Sequence, residues 1–113
     1  MKKPKRGEVY YINLPAPKEN DVVTCGSRPC VVVSNNIGNA HSGIVMVVPI
    51  KGNSKSRLPT HAQIELQFPC VAMCENIMTV GQTDLDRLVG ICTHDEMLSI
   101  DRCIEVALGI GRR

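Results

Sequence analysis

The chain has 113 residues, and 31 of them are Val, Ile, Leu or Phe. That length suits one domain, and the apolar share exceeds the roughly 20% below which chains tend to stay disordered, so two tandem domains are excluded and a folded core is expected. The net charge is +2, but six of the 13 basic residues lie at positions 2–6 and 112–113; residues 7 to 111 carry seven basic and eleven acidic groups, which excludes a general basic face for nucleic acid and makes any phosphate binding local.

The first residues, Met1 to Arg6, are basic like the start of a signal peptide, but Glu8 and Asn13 interrupt the stretch that follows, so no secretory leader is expected. The longest apolar run, Ile44 to Ile50, is far short of the roughly 18 residues that cross a bilayer. No membrane association is expected, and a cytoplasmic location is. Residues 1–5 read as a basic tail on one domain.

Glu8–Leu14 is rich in β-branched and aromatic residues and reads as a strand. Pro15, Pro17, Asn20 and Asp21 end it, and a loop of about a dozen residues, a length that is often functional, runs to Ser27. Cys30–Ser34 reads as a second, buried strand. Asn35 through Gly43 carries turn chemistry. Ile44–Ile50 does not alternate and is expected to be buried on both faces, with Pro49 marking an edge or a bulge.

Lys51 to Arg57 is a polar, basic loop. His61–Leu66 alternates, with Ala62, Ile64 and Leu66 expected inward. Cys70–Cys74 and Asn76–Thr79 supply one or two more strands, Asp84 to Leu88 a turn, and Val89–Cys92 a last short strand. Thr93 and Glu96 match a helix capping box, and Met97, Ile100, Ile104, Ala107 and Leu108 form one apolar stripe that ends at Gly109. Short strands followed by one helix predict a mainly β fold, a small barrel with the helix over an open end. The six cysteines show no C-x2-C pair and no zinc-finger spacing, so they are expected to be reduced, mostly buried thiols. No metal site and no cofactor is expected.

Few features carry chemistry. Arg28 precedes Pro29, which restricts its backbone to extended conformations, so a guanidinium is held where a long loop meets a buried strand and is suited to gripping a phosphate. Lys51, Lys55 and Arg57 form a cationic rim. Glu75 and Asn76 sit between two strand segments, and His41, His61 and His94 are scattered. The residues alone imply a small β-rich domain with one candidate anion site.

In order along the chain, the segments resemble the MazF/PemK family of toxin endoribonucleases. Arg6-Gly-Glu-Val-Tyr-Tyr resembles that family's opening "RG-[DE]-[IV]-Y" strand, Gly26 to Asn36 its "xRPVLVIxN" segment, Leu58-Pro-Thr-His-Ala-Gln-Ile its "LPTHVEI", and Cys74-Glu-Asn-Ile-Met-Thr79 its "LEQIRT". Gly90 through Gly109 resembles the closing strand and helix, and the likeness spans about residues 6 to 110. It implies an SH3-like β-barrel with a C-terminal helix, a homodimer, metal-independent and sequence-selective cleavage of single-stranded RNA, and neutralisation by a cognate antitoxin whose acidic, flexible segment lies in the toxin groove.

The resemblance puts the family's active-site arginine on Arg28 and a base-contacting amide on Asn76, beside Glu75. It departs at two positions: Lys51 stands where the family has a catalytic threonine, and Val23 where it has an acidic residue. The expected catalytic residues are therefore Arg28, Lys51 and Glu75, with Asn36, Lys55, Arg57, His61 and Asn76 contacting RNA. In such a site the RNA 2′-hydroxyl attacks the adjacent phosphorus and a fixed cation stabilises the charge that builds on the phosphoryl oxygens. Two other readings stay open at this point: a non-catalytic toxin of the same fold that inhibits DNA gyrase, and a degenerate module that only binds an antitoxin.

Overall fold

The computed structural model describes residues 3–14, 26–52 and 58–111. Seven strands and two helices run in the order β1 (Glu8–Leu14), β2 (Gly26–Val32), α1 (Asn36–His41), β3 (Ile44–Gly52), β4 (His61–Glu65), β5 (Pro69–Met73), β6 (Met78–Gly81), β7 (Leu85–Ile91) and α2 (His94–Leu108). All pairings are antiparallel. The strands are laid side by side as β4-β5-β3-β2-β1-β7, with β6 added to β3.

Strand β3 organises the sheet. One edge pairs with β2, Val47 to Pro49 against Val32 to Cys30. The other edge pairs first with β6, through Ile44 to Val47, and then with β5, through Ile50 to Gly52. Val48 and Pro49 fall between these two ladders. Proline has no N–H to give a ladder, and here it occupies the place where β3 changes partner. Of the edge or bulge that the sequence suggested, Pro49 makes no sheet edge: it is buried in a central strand, at an interruption of the ladders on one side.

Side chains of a strand alternate between faces, and here both faces are apolar. Val9, Val31, Val48, Ile50, Ala62, Ile64 and Cys70 form one core, sealed by Ile100 and Cys103 of α2. Ile12, Leu14, Cys30, Val32, Val45 and Val47 form a second, with Met78 and Val80 of β6 packed on it. The sheet curls until Leu66 at the end of β4 approaches Gly90 of β7, where a Cβ would lie 3.0 Å from Leu66 Cδ2. Among the described residues no ladder joins β7 to β4, so the mainly β, SH3-like sheet curves strongly without closing.

Several elements differ from the sequence expectation, each for a local reason. Asn35 to Gly43 is not all turn. The Asn35 side chain accepts from the Gly38 amide at 2.7 Å and caps a short helix, and Asn39 is buried with its Nδ2 donating to the Ser34 carbonyl at 3.0 Å. Ile44 and Met46 are exposed, so β3 is buried on both faces only from Val47 to Ile50. The expected turn at Asp84–Leu88 is mostly strand. A single 3₁₀ turn ends at Asp84, and β7 begins at Leu85 as an outer strand with two register irregularities against β1. Bulges break the alternation by which a strand is recognised.

The basic N-terminal segment is more than a tail. Arg6 donates from its backbone N to Asn36 Oδ1 at 2.7 Å, from Nε to the Val33 carbonyl at 2.9 Å, and from its guanidinium to Asp101 of α2. Gly7 donates to the Val32 carbonyl and accepts from the Cys92 amide. Its φ of 96° is one that side chains rarely adopt. The five described cysteines, Cys30, Cys70, Cys74, Cys92 and Cys103, are buried free thiols. No helix among the described residues is long and apolar enough to cross a membrane.

Helix α2 begins as the sequence predicts. Glu96 N donates to Thr93 Oγ1 at 3.1 Å, and Thr93 N donates to Glu96 Oε1 at 2.8 Å. The other Glu96 oxygen accepts from the Glu65 amide at 2.7 Å, which ties the box to β4. Gly109, with φ 70°, ends the helix. Replacing Thr93 by Ala is expected to destabilise the fold by about 1 kcal/mol, read as a lower urea midpoint with an unchanged transition slope.

Candidate active site

Arg28 lies near the start of β2, half-buried, opposite Ile12 of β1. The β2–β3 register pairs Cys30 with Pro49. Continued by two residues, it sets Arg28 opposite Lys51, at the end where the two strands part. Lys51 is exposed and pairs on its other side with Val71, which in turn pairs with Gln63. Directly opposed residues share a face. Arg28, Lys51, Val71 and Gln63 thus form one row across four strands, on the face that carries Cys30 and Val32 further along β2. The β2–β3 ladder itself ends at Cys30 and Pro49, two residues short of Arg28 and Lys51.

Burial pushes the Cys30 thiol up to about 12, with the Arg28 charge pulling the other way. The thiol therefore stays neutral and does not cancel the positive charge beside it.

Glu75 stands in a different place. It occupies a 3₁₀ turn, Cys74–Asn76, after β5. Glu75 Oε1 accepts from Thr60 Oγ1 at 2.8 Å, and Oε2 pairs with His61 Nε2 at 2.9 Å. Burial opposes ionisation of this carboxyl, but hydrogen bonds from His61, its own backbone and Thr60, with the His61 charge, outweigh it, and the pKa is lowered from the ordinary 4.5. A carboxylate with both oxygens engaged and a lowered pKa is a poor proton acceptor. Glu75 follows β5, two places from β2 in the order of the sheet. Its carboxylate fixes His61 and Thr60.

Asn76 ends the same 3₁₀ turn, half-buried. Asn36 is not brought to this site. It lies beyond the opposite end of β2, with its Oδ1 accepting from the Arg6 amide. Lys55, Arg57, Val23 and most of the loop before Ser27 lie outside the described residues.

Sequence reasoning missed a second feature at the same end of the sheet. A groove of about 390 Å³ separates the β4–β5 turn, with Gln67 and Phe68, from Tyr11, Pro29 and Arg87. Between the pairs Tyr10–Leu88 and Ile12–Leu85, β1 has one residue and β7 has two. This bulge aims the Arg87 guanidinium over the Tyr11 ring, 4.7 Å from its centroid. The available signal was the chain's poverty in aromatics, since two of its three line this groove. Among the described residues no cluster of three His, Cys, Asp or Glu side chains is arranged to hold a metal ion.

A family model described as the PemK-like, MazF-like toxin of type II toxin-antitoxin systems matches residues 5–108. The chain belongs to this family. Among curated relatives, Endoribonuclease MazF of Staphylococcus epidermidis is 30% identical over 113 residues, covering 95% of this chain and 92% of its own. A solved endoribonuclease from Mycobacterial species is similar with a TM-score of 0.81 at 27% identity, over 100% of this chain and 98% of the other. An endoribonuclease in complex with its cognate antitoxin, also from Mycobacterial species, gives the same TM-score and identity over 97% and 99%. MazF from Deinococcus radiodurans reaches a TM-score of 0.83 at 16% identity, over 97% of this chain and 100% of that one. At that identity it speaks for the fold alone.

The Glu75 tether has a pH signature. A carboxyl whose folded pKa is lowered stabilises the fold above its unfolded value, and that contribution is lost as pH falls through the folded pKa. The urea midpoint of the MazF/PemK-family protein is expected to fall between about pH 5 and about pH 3, and Glu75→Gln to flatten part of that fall. Equal slopes in both proteins would show that the tether carries no linked stability.

Proposed function

We propose that this toxin endoribonuclease cuts single-stranded mRNA, without a metal ion and at preferred sequences, through a phosphate clamp made by Arg28 and Lys51. The reading rests on the β2–β3 register, Cys30 opposite Pro49, which continued by two residues sets Arg28 opposite Lys51 where the strands part. The 2′-oxygen of the RNA bonds to the adjacent phosphorus and gives its proton to solvent, the bond from phosphorus to the 5′-oxygen breaks, and the leaving oxygen takes up a proton that its donor regains from solvent. The products are a 2′,3′-cyclic phosphate and a 5′-hydroxyl. Negative charge builds on the phosphoryl oxygens during attack, and a preorganised guanidinium stabilises it without reorganising. Arg28 does not exchange protons, since guanidinium pKa values lie above about 12. Lys51, in the place of the family's threonine, is the second cation and the donor to the leaving oxygen. His61, held by Glu75, and Asn76 contact nucleotides further along the strand, where Glu75 is a positioning residue.

An antitoxin neutralises the protein by laying an acidic, flexible segment over the same cations, so that carboxylates compete with RNA phosphates. The mycobacterial relative is solved as an endoribonuclease in complex with its cognate antitoxin. The toxin acts in the cytoplasm, where its loss of messages stops translation and growth. It works as a homodimer. A groove of about 530 Å³ lined by Met46, Ile77, Ile104 and Leu108 supports that reading, because Met46 and Leu108 are 43% and 57% exposed in the single chain.

Arg28→Ala is expected to slow cutting of a long mixed-sequence RNA by about a hundred-fold, roughly 3 kcal/mol of barrier, with an unchanged circular dichroism spectrum. Lys51→Ala is expected to slow it less. The native protein keeps cutting in EDTA and leaves 5′ ends that a kinase labels without prior dephosphorylation. Near-native cutting by Arg28→Ala would sink the clamp. Light scattering on the eluting protein is expected to give twice the 12.4 kDa chain mass, and a monomer mass at micromolar concentration would end the dimer proposal.

A further inference from the structure

The groove beside Pro29 has the chemistry of a nucleobase site. The chain has no Trp, two Tyr and one Phe. Tyr10 is spent inside, its hydroxyl donating to Glu8 at 2.8 Å and its ring packed on the second core. The other two aromatics, Tyr11 and Phe68, both line this groove. Phe68 is 40% exposed, unusual for the only Phe of a small domain, and its ring lies across Gly52. A Cβ there would come 2.7 Å from Phe68 Cε2. The ring is thus seated on the backbone immediately after Lys51, where any side chain would displace it. The β7 bulge places the Arg87 guanidinium over Tyr11 on the other wall. Bulges commonly re-aim a side chain beside a functional site.

We infer that this groove is a nucleobase-stacking subsite, which takes one unstacked base of the RNA strand between Phe68 and the Arg87–Tyr11 pair while the neighbouring phosphate sits at Arg28 and Lys51. The inference rests on the nuclease reading for the orientation of the strand. Arg28 and Pro29 are consecutive and face opposite sides of β2. The strand therefore rounds the open end of the sheet, with its backbone on the cationic row and one base turned into the groove. Aromatic rings and Arg planes hold unstacked bases by stacking, which every base can supply. Gln67, at the rim, carries an amide with both donors and an acceptor for a base edge. Its position makes it the residue that sets preference among bases.

The chain's lack of Trp supplies the test. Phe68→Trp introduces a single indole, whose fluorescence a stacked base quenches. The probe is a short mixed-sequence RNA with 2′-O-methyl groups, which keeps bases and phosphates but lacks the nucleophile. Saturable quenching by this RNA, and none by inorganic polyphosphate, is expected. Phe68→Leu is expected to raise KM for cleavable RNA about ten-fold with little change in kcat, and Phe68→Tyr to restore it. No quenching by RNA that binds, as shown by anisotropy, together with native KM in Phe68→Leu, overturns the subsite and leaves the clamp standing. Quenching without cleavage of unmodified RNA keeps the subsite and overturns the nuclease reading. Neither binding nor cleavage overturns both.

Discussion

The sheet turns on the change of partner in the middle of the nine-residue strand β3. At Val48 and Pro49, where proline has no N–H to give a ladder, β3 leaves β6 and takes up β5. A strand that changes partner divides its sheet. Here the division lets one face pack on α2 and the other on β6, so a chain of only 113 residues builds two apolar layers around a single sheet. The switch also shapes the end of the strand. Beyond Pro49 the β2 ladder has stopped and β3 continues with β5 alone, so Lys51 and Gly52 stand at a rim of the sheet.

That rim concentrates cations in an otherwise mildly acidic body. Arg28, Lys51 and Arg87 come from three strands, and each is held by a different device: a following proline, a strand that outlasts its neighbour, and a bulge. A small number of fixed charges at one end of a neutral or acidic surface attracts a polyanion to one place, which a diffuse basic face does not. Three of the body's carboxylates are engaged elsewhere, in the Glu75 tether, in the Arg6–Asp101 pair and in the α2 capping box.

The parts of the fold that were legible in the sequence are those governed by local physics. The capping box at Thr93, the alternation from His61 and the β-branched first strand depend on neighbours within a turn or a pleat, and each was found where expected. Arg28 was legible because Pro29 constrains its backbone directly. The β2–β3 register that runs toward Lys51 was not legible, because it joins strands about twenty residues apart. The tether from Glu75 to His61 and Thr60 was hidden for the same reason, since it joins residues about fifteen apart in sequence. Asn35 and Asn39 deceived because Asn serves turns and helix caps alike. Arg87 was hidden because a bulge erases the period-two signal in β7, and an edge strand with polar residues then reads as a turn.

The knot at Arg6 and Gly7 bears on how the protein is made. Residues near the start of the chain are bound to α1, to the end of β2, to Cys92 and to Asp101 in α2. β1 itself lies between β2 and the late strand β7. During synthesis the segment around Arg6 therefore waits for α2. Domains generally fold as units as they leave the ribosome, and this one cannot finish until α2 has emerged. The groove wall made by Arg87 and Tyr11 likewise forms only once β7 has paired with β1, long after β1 itself is synthesised.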